Sequence, residues 1–171
     1  MAVLKDLNGY HYRDSQSRET VVGYIMQPDK TPDGFIGCTG VDPLDIPNSM
    51  HQTAAYYNKD SGVRLRHMIL SFSHAELTNP EVAYEIGCAV MCYIGAEYQT
   101  AFAVHQDAAN LHIHFVFSSI SFVDGRRYRG TRSEYYSLVK KIESILRPYG
   151  IRYLRTVSRR SSHDVQADTF E

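Results

Sequence analysis

The 171-residue sequence has no tryptophan, no long apolar run and almost no net charge, −1 with histidine neutral. Its longest apolar stretch, residues 87–95, is far shorter than the about 20 residues a bilayer-spanning helix needs. With no secretory signal visible either, membrane insertion is not expected. Cysteine is scarce and odd in number. Cys38, Cys88 and Cys92 form no Cys-x-x-Cys pair, and Cys88 and Cys92 stand four apart in an apolar helical run, so reduced, buried thiols in a cytosolic protein are expected. Repeats and low-complexity segments are absent. Gly34, Gly37 and Gly40 lack the Lys-Ser/Thr of a P-loop and the strand-to-helix setting of a dinucleotide fingerprint, which excludes the common nucleotide-binding signatures. What remains, at 43% hydrophobic residues, is an ordinary globular domain with enough length for a real core.

The charge that cancels overall does not cancel locally. Between residues 126 and 160 stand eleven basic residues against Glu134 and Glu143, a net +9 that leaves −10 on the rest of the chain. Such a basic third suggests a polyanionic partner, although a solvated helix face with a basic tail would look the same.

Histidine is concentrated. Three of the eight fall in His105-Gln106-Asp107-Ala108-Ala109-Asn110-Leu111-His112-Ile113-His114. Residues 100–104 and 115–118 read as strands, and Asp107 to Asn110 supply turn chemistry between them. On an antiparallel hairpin His112 and His114 share a face and His105 lies across from them, about 5 Å away. Three imidazoles can then converge on one ion and leave coordination positions open, the catalytic rather than the structural pattern. Imidazole ligands favour Zn, Mn, Co or Ni over Mg. Asp107 is placed to accept a ring N–H and fix a tautomer, or simply to shape the turn.

Along the chain, short strands are expected at residues 3–5 and 35–41, the latter weakened by Gly37 and Gly40, and a strong apolar strand at 64–73. Asn8-Gly9 is a turn signal. Helices are expected at 15–26, capped by a Ser or Asp and stopped before Pro28, at 49–59, at 80–95 behind the Asn79-Pro80 cap, and at 133–146. A turn is expected around Asp124-Gly125. Alternating strands and helices, with the two clearest strands joined as a hairpin, predict an α/β (α+β) sandwich: a central antiparallel or mixed sheet of about five strands flanked by helices. Residues 1–157 form the folded domain in this reading, and 158–171 a polar, flexible tail.

The pattern His105-x-Asp107-x-x-Asn110-x-His112-x-His114 before an apolar strand resembles the third motif of the HUH-type conjugative relaxases, mobilisation nucleases that nick DNA at an origin of transfer. Tyr24-Ile25-Met26-Gln27-Pro28-Asp29-Lys30-Thr31 is similar to the first motif of the MOBP branch, and His67-Met68-Ile69-Leu70-Ser71-Phe72 to the second. The resemblance implies the relaxase fold and a nucleophilic Tyr24. It implies one divalent metal ion, Mg or Mn, on His105, His112 and His114, and a DNA-contacting Ser71. His105 could instead be a base, oriented by Asp107. The expected reaction is a metal-assisted transesterification that leaves a 5′-phosphotyrosyl link and a free 3′-OH. Lys30, Arg126, Arg127 and Arg129, with Tyr128 among them, are candidate contacts to single-stranded DNA, and Asn110 an orienting residue. Expected partners are that DNA, relaxosome accessory proteins and a coupling protein, in a bacterial cytoplasm.

Three other readings stay open. A rolling-circle replication initiator of the same fold would use a tyrosine after the histidine motif, which here means Tyr135 or Tyr136. A non-catalytic accessory protein would bind single-stranded DNA without cutting it. A small metal-dependent hydrolase would leave the basic third unused.

Overall fold

The computed structural model describes residues 1–7 and 12–158. Six strands and four helices follow one another as β1 (Ala2–Leu7), α1 (Ser17–Ile25), β2 (Ile36–Thr39), α2 (Ile46–Tyr56), β3 (Leu65–Ser71), α3 (Pro80–Ile94), β4 (Tyr98–His105), β5 (His112–Ser121), α4 (Arg132–Leu146) and β6 (Leu154–Ser158). The strands form one mixed sheet in the order β2-β4-β5-β3-β1-β6. Only β1 and β6 pair in parallel; the other four pairings are antiparallel.

Residue alternation in the strands decides which helices cover which face. On β5, Ile113, Phe115 and Phe117 point to one side, where Ala83, Ile86 and Val90 of α3 and Leu138, Ile142 and Leu146 of α4 close the larger core. Val116 points to the other side, where Val21, Val22 and Ile25 of α1 and Ile46 and Met50 of α2 close a smaller one. His112 and His114 share that second face with Val116, because side chains two apart along a strand do. The layer under α1 and α2 is therefore where the histidines lie.

Several expectations shift by a turn or less. Helix α1 begins at Ser17 behind Gln16, with no side-chain cap, and Asp14 accepts the Gln16 N–H at 2.8 Å instead. Helix α2 starts three residues before the expected Ser49, because Asp45 accepts the Asn48 N–H and Pro47 sits in the first turn, where its missing donor costs nothing. Asn79 and Pro80 open α3 as expected. Gly37 of β2 has a packing role: a Cβ there, or on Gly87 of α3, would clash with the Phe102 ring, which fills the space between them.

The sheet of about five strands expected has six among the described residues, with β6 as the addition. The cysteines correct another: all three are free, but Cys38 and Cys88 are half-buried and Cys92 is exposed. The Asn8-Gly9 turn and all but the first residue of the expected 158–171 tail lie outside the described residues.

Candidate functional site

The hairpin register brings the histidines together. His105 pairs directly with His112 across β4 and β5, and His114 follows two residues on, opposite Ala103. One ring nitrogen from each of His105, His112 and His114 lies within 4.8 Å of the others. Ring centroids are 4.3 Å apart for His105 and His114, 5.3 Å for His105 and His112, and 5.1 Å for His112 and His114.

The second nitrogen of each ring is tied off, which identifies the one that remains. His105 Nε2 donates to the Ile25 carbonyl at 2.9 Å, and its Nδ1 is buried with no hydrogen-bond partner. His112 Nδ1 donates to the Asn110 carbonyl at 3.0 Å. His114 Nδ1 lies 2.8 Å from Nε2 of His67, whose Nδ1 in turn lies 3.1 Å from the Tyr12 hydroxyl. That leaves His105 Nδ1, His112 Nε2 and, with the proton on His114 Nδ1, His114 Nε2 to offer lone pairs. Burial, then repulsion among the rings, pushes the His114 pKa well below the usual histidine value. Burial likewise lowers His105, with opposition from its bond to Ile25. Pre-oriented imidazoles with one sealed, unpartnered nitrogen, on His105 Nδ1, fit a metal ion.

Tyr24 occupies the last turn of α1 and reaches the same centre. Its ring centroid is 5.9 Å from that of His105 and 5.7 Å from that of His114. Helix α1 and the histidines are coupled by a hydrogen bond through Ile25, the residue after Tyr24, whose carbonyl accepts the His105 Nε2–H. The loop that follows is stitched to the end of β4: Gln106 N–H donates to the Lys30 carbonyl at 2.9 Å and Val104 N–H to the Phe35 carbonyl at 2.9 Å. That stitching holds the Lys30 ammonium 5.0 Å from the Tyr24 ring centre and 2.8 Å from Asp107 Oδ2.

Asp107 thus takes Lys30 rather than a ring N–H of His105, and its other oxygen lies 4.0 Å from His112 Nε2. Burial alone would raise its carboxyl, but the Lys30 bond and charge hold it below the usual carboxylate value. Asn110 orients His112 through its backbone carbonyl. Ser71 faces this layer directly across from His112.

The arginines do not gather here. Arg126 pairs with Glu97 at 2.8 Å beyond the far end of β5. Arg127 donates to the carbonyls of Lys59 at 2.7 Å and of Val63, and with Arg129 lines a separate cavity. Arg159 and Arg160 lie outside the described residues. Tyr135 and Tyr136 lie on α4, which covers the opposite face of the sheet; Tyr135 packs against the larger core and Tyr136 is exposed, with Lys140 over its ring.

In the sequence His67 stands only at the head of the second motif, and Tyr12 carries no role at the site. His67 is in fact 1% exposed. The available signal was its alternation with Leu65, Ile69 and Ser71 on a strand that had to lie beside β5.

Comparison with known proteins agrees with this geometry. The family model for relaxases, MobA/VirD2-like, nuclease domain, matches residues 24–151. The chain is 28% identical over 104 residues to protein rlx of Staphylococcus aureus, covering 61% of this chain and 33% of that protein. A second Staphylococcus aureus rlx protein is 32% identical over 83 residues, 48% of this chain and 26% of the relative. The group II intron-interrupted relaxase LtrB of Lactococcus lactis subsp. cremoris is 32% identical over 71 residues, 41% of this chain and 13% of the relative. The chain therefore spans a third or less of the length of these curated relatives. A six-stranded mixed sheet carrying a converging histidine triad, and a family match over three quarters of its length, place the chain in the MobA/VirD2-like family of relaxase nuclease domains.

Proposed function

We propose that this domain nicks one strand of DNA at an origin of transfer by transesterification onto Tyr24. The observation that carries the reading is the position of Tyr24 against His105 and His114 on one face of the sheet, with Tyr135 and Tyr136 on the other. A rolling-circle arrangement using the α4 tyrosines would need its nucleophile to act through the sheet.

The Tyr24 oxygen attacks the scissile phosphorus, and the 3′-oxygen departs. One phosphodiester bond is exchanged for another, so the free 3′-OH can reverse the step without an energy source. His105, His112 and His114 would hold a divalent ion, which would supply Lewis-acid polarisation of the scissile phosphate. Mg or Mn is expected from the family resemblance, and the imidazole donors themselves favour Mn, Co, Ni or Zn.

The protein's own groups do the rest. Lys30 holds positive charge 5.0 Å from the centre of the Tyr24 ring, where the attacking oxygen and the phosphate meet in this reading. Asp107 positions that ammonium. His105 serves as a ligand in this reading, since Nε2–H is committed to Ile25 and only the sealed Nδ1 remains. Ser71, next to His112, contacts the strand. In the whole protein the partners are the origin strand, accessory proteins of the nicking complex and a coupling protein, in a bacterial cytoplasm. Among the described residues, no helix is long and apolar enough to cross a membrane.

The test is nicking of a supercoiled plasmid carrying the origin of the chain's own mobile element. Nicked circles are expected with Mn or Mg and are lost with chelator or in His112→Ala. Nicking that persists through both treatments contradicts a metal-assisted reaction.

A further inference from the structure

At the end of the sheet away from the loop that joins β4 and β5, a second basic site is built that the histidine centre does not use. Arg13, Arg66, Arg127 and Arg129, with Tyr128, line a cavity of about 360 Å³, at the small end of the range for ligand sites. Arg127 is locked, donating to the Lys59 carbonyl at 2.7 Å, to the Val63 carbonyl and to Ser119 Oγ at 3.2 Å. Arg66 lies with its guanidinium 5.5 Å from the Tyr128 ring centre. It makes only a long 3.4 Å bond to the Tyr128 carbonyl, and its Nε is buried with no hydrogen-bond partner. Gly130, at φ +67°, leaves room for it: a Cβ there would come within 3.2 Å of Arg66 Nη1.

The charge of Arg66, Arg127 and Arg129 is not answered by a carboxylate among the described residues. Asp60, the nearby carboxylate, is committed to Arg18 and Arg64, each at 2.8 Å. Asp6 feels the charge of Arg66 but forms no ion pair with it. Among the described residues, no salt bridge joins Arg66, Arg127 or Arg129 to an acid. Burial, and then the charges of Arg129, Arg64, Arg66 and Arg18, push the Arg127 pKa down. Guanidinium forks beside an aromatic face suit a phosphodiester next to a base.

We propose that this pocket binds a backbone phosphate of the DNA strand outside the nicked step, a contact that rests on the nucleic-acid reading above. Arg66 lies opposite Phe117 and Ser71 opposite His112, five residues apart on β3. At about 3.3 Å per residue that separation is about 16 Å along β3, and because Arg66 shares the Phe117 side of the sheet while Ser71 shares the His112 side, the strand must run on for at least about five stacked nucleotides and round the end of the sheet to reach the pocket.

Binding of fluorescein-labelled single-stranded DNA to the full chain, in chelator and at several salt concentrations, tests this without any cleavage. Oligonucleotides are lengthened stepwise on either side of the nick position. Arg129→Gln, at an exposed side chain, should lower the slope of log K against log salt by about 0.7, and Arg66→Gln/Arg129→Gln by about 1.4, with an about tenfold loss of affinity for long strands only. Unchanged melting temperature and Mn affinity show the fold is intact; if the double variant melts early, Arg129→Gln alone decides. A wild-type slope in Arg129→Gln overturns the proposal. So does a pocket that responds to millimolar inorganic phosphate in NMR spectra while long and short strands bind alike, which marks a site for free anions only. Salt-sensitive pocket binding without any Tyr24 adduct would sink the transesterification and leave the pocket standing; an adduct with pocket-independent binding would do the reverse.

Discussion

His67 shows what a single buried side chain can do for a site it does not enter. For His114 Nε2 to offer its lone pair, His114 Nδ1 must carry the proton and donate to His67 Nε2; His67 Nδ1 then donates to Tyr12. Replacing His67 with Gln should weaken Mn binding by about 10- to 100-fold, and Tyr12→Phe by less, when read by calorimetry. An unchanged affinity in His67→Gln would mean that His114 needs no such partner. The same residue makes the metal-free domain acid-sensitive. Burial, helped by the charge of His105, lowers the His67 pKa from 6.5 to about 4. The unfolded chain therefore binds the proton first as pH falls, so the stability is present in full above about pH 6.5 and is lost progressively down to about pH 4. The loss attributable to His67 approaches about 3 kcal/mol, and melting curves of His67→Gln should be flatter over that window. Of the residues at the site, the triad and Tyr24 were legible because their spacing carries the pattern. His67 and the Ile25 carbonyl were not, since they meet the triad from 47 and 80 residues away and only folding brings them there.

At the level of elements, local signals worked where chemistry is local. Asn79-Pro80 opens α3, Asp107 to Asn110 turn the hairpin, and β3 reads as a dense apolar run. Starts that depend on one capping oxygen moved, as Asp45 did for α2. Strand β6 escaped notice because Leu154-Arg155-Thr156-Val157 has little apolar density. It is a strand because β1 offers it an edge, with Ala2 opposite Leu154 and Lys5 opposite Val157. Gly37 reads as a weakness of β2 until Phe102 is placed between it and Gly87 of α3. Phe102→Ala should cost about 3–5 kcal/mol in chemical denaturation, since Gly37 and Gly87 have no side chains with which to fill the hole. A loss below 1 kcal/mol would show that β2 and α3 can close on each other.

At the scale of the molecule, the sheet divides the labour. One face carries α1, α2 and the histidines; the other carries the larger core under α3 and α4. The +9 of the last third, one block in the sequence, is dispersed by folding: Arg126 goes to Glu97, Arg127 and Arg129 to the second pocket, and Lys140 and Lys141 to rings on the α3/α4 side. That dispersal was not legible, because the β5–α4 connection turns back on itself through the Ile120–Arg127 bridge and sends neighbouring arginines in different directions. The family relationship makes the nuclease domain; the chemistry depends on whether Tyr24, at the end of α1, is the residue that bonds to DNA. Mass spectrometry of peptides after reaction with origin-containing single-stranded DNA and Mn decides it most directly. The account predicts a nucleotide adduct on the peptide carrying Tyr24, abolished in Tyr24→Phe; an adduct on Tyr135 or Tyr136, or one that survives Tyr24→Phe, would contradict it.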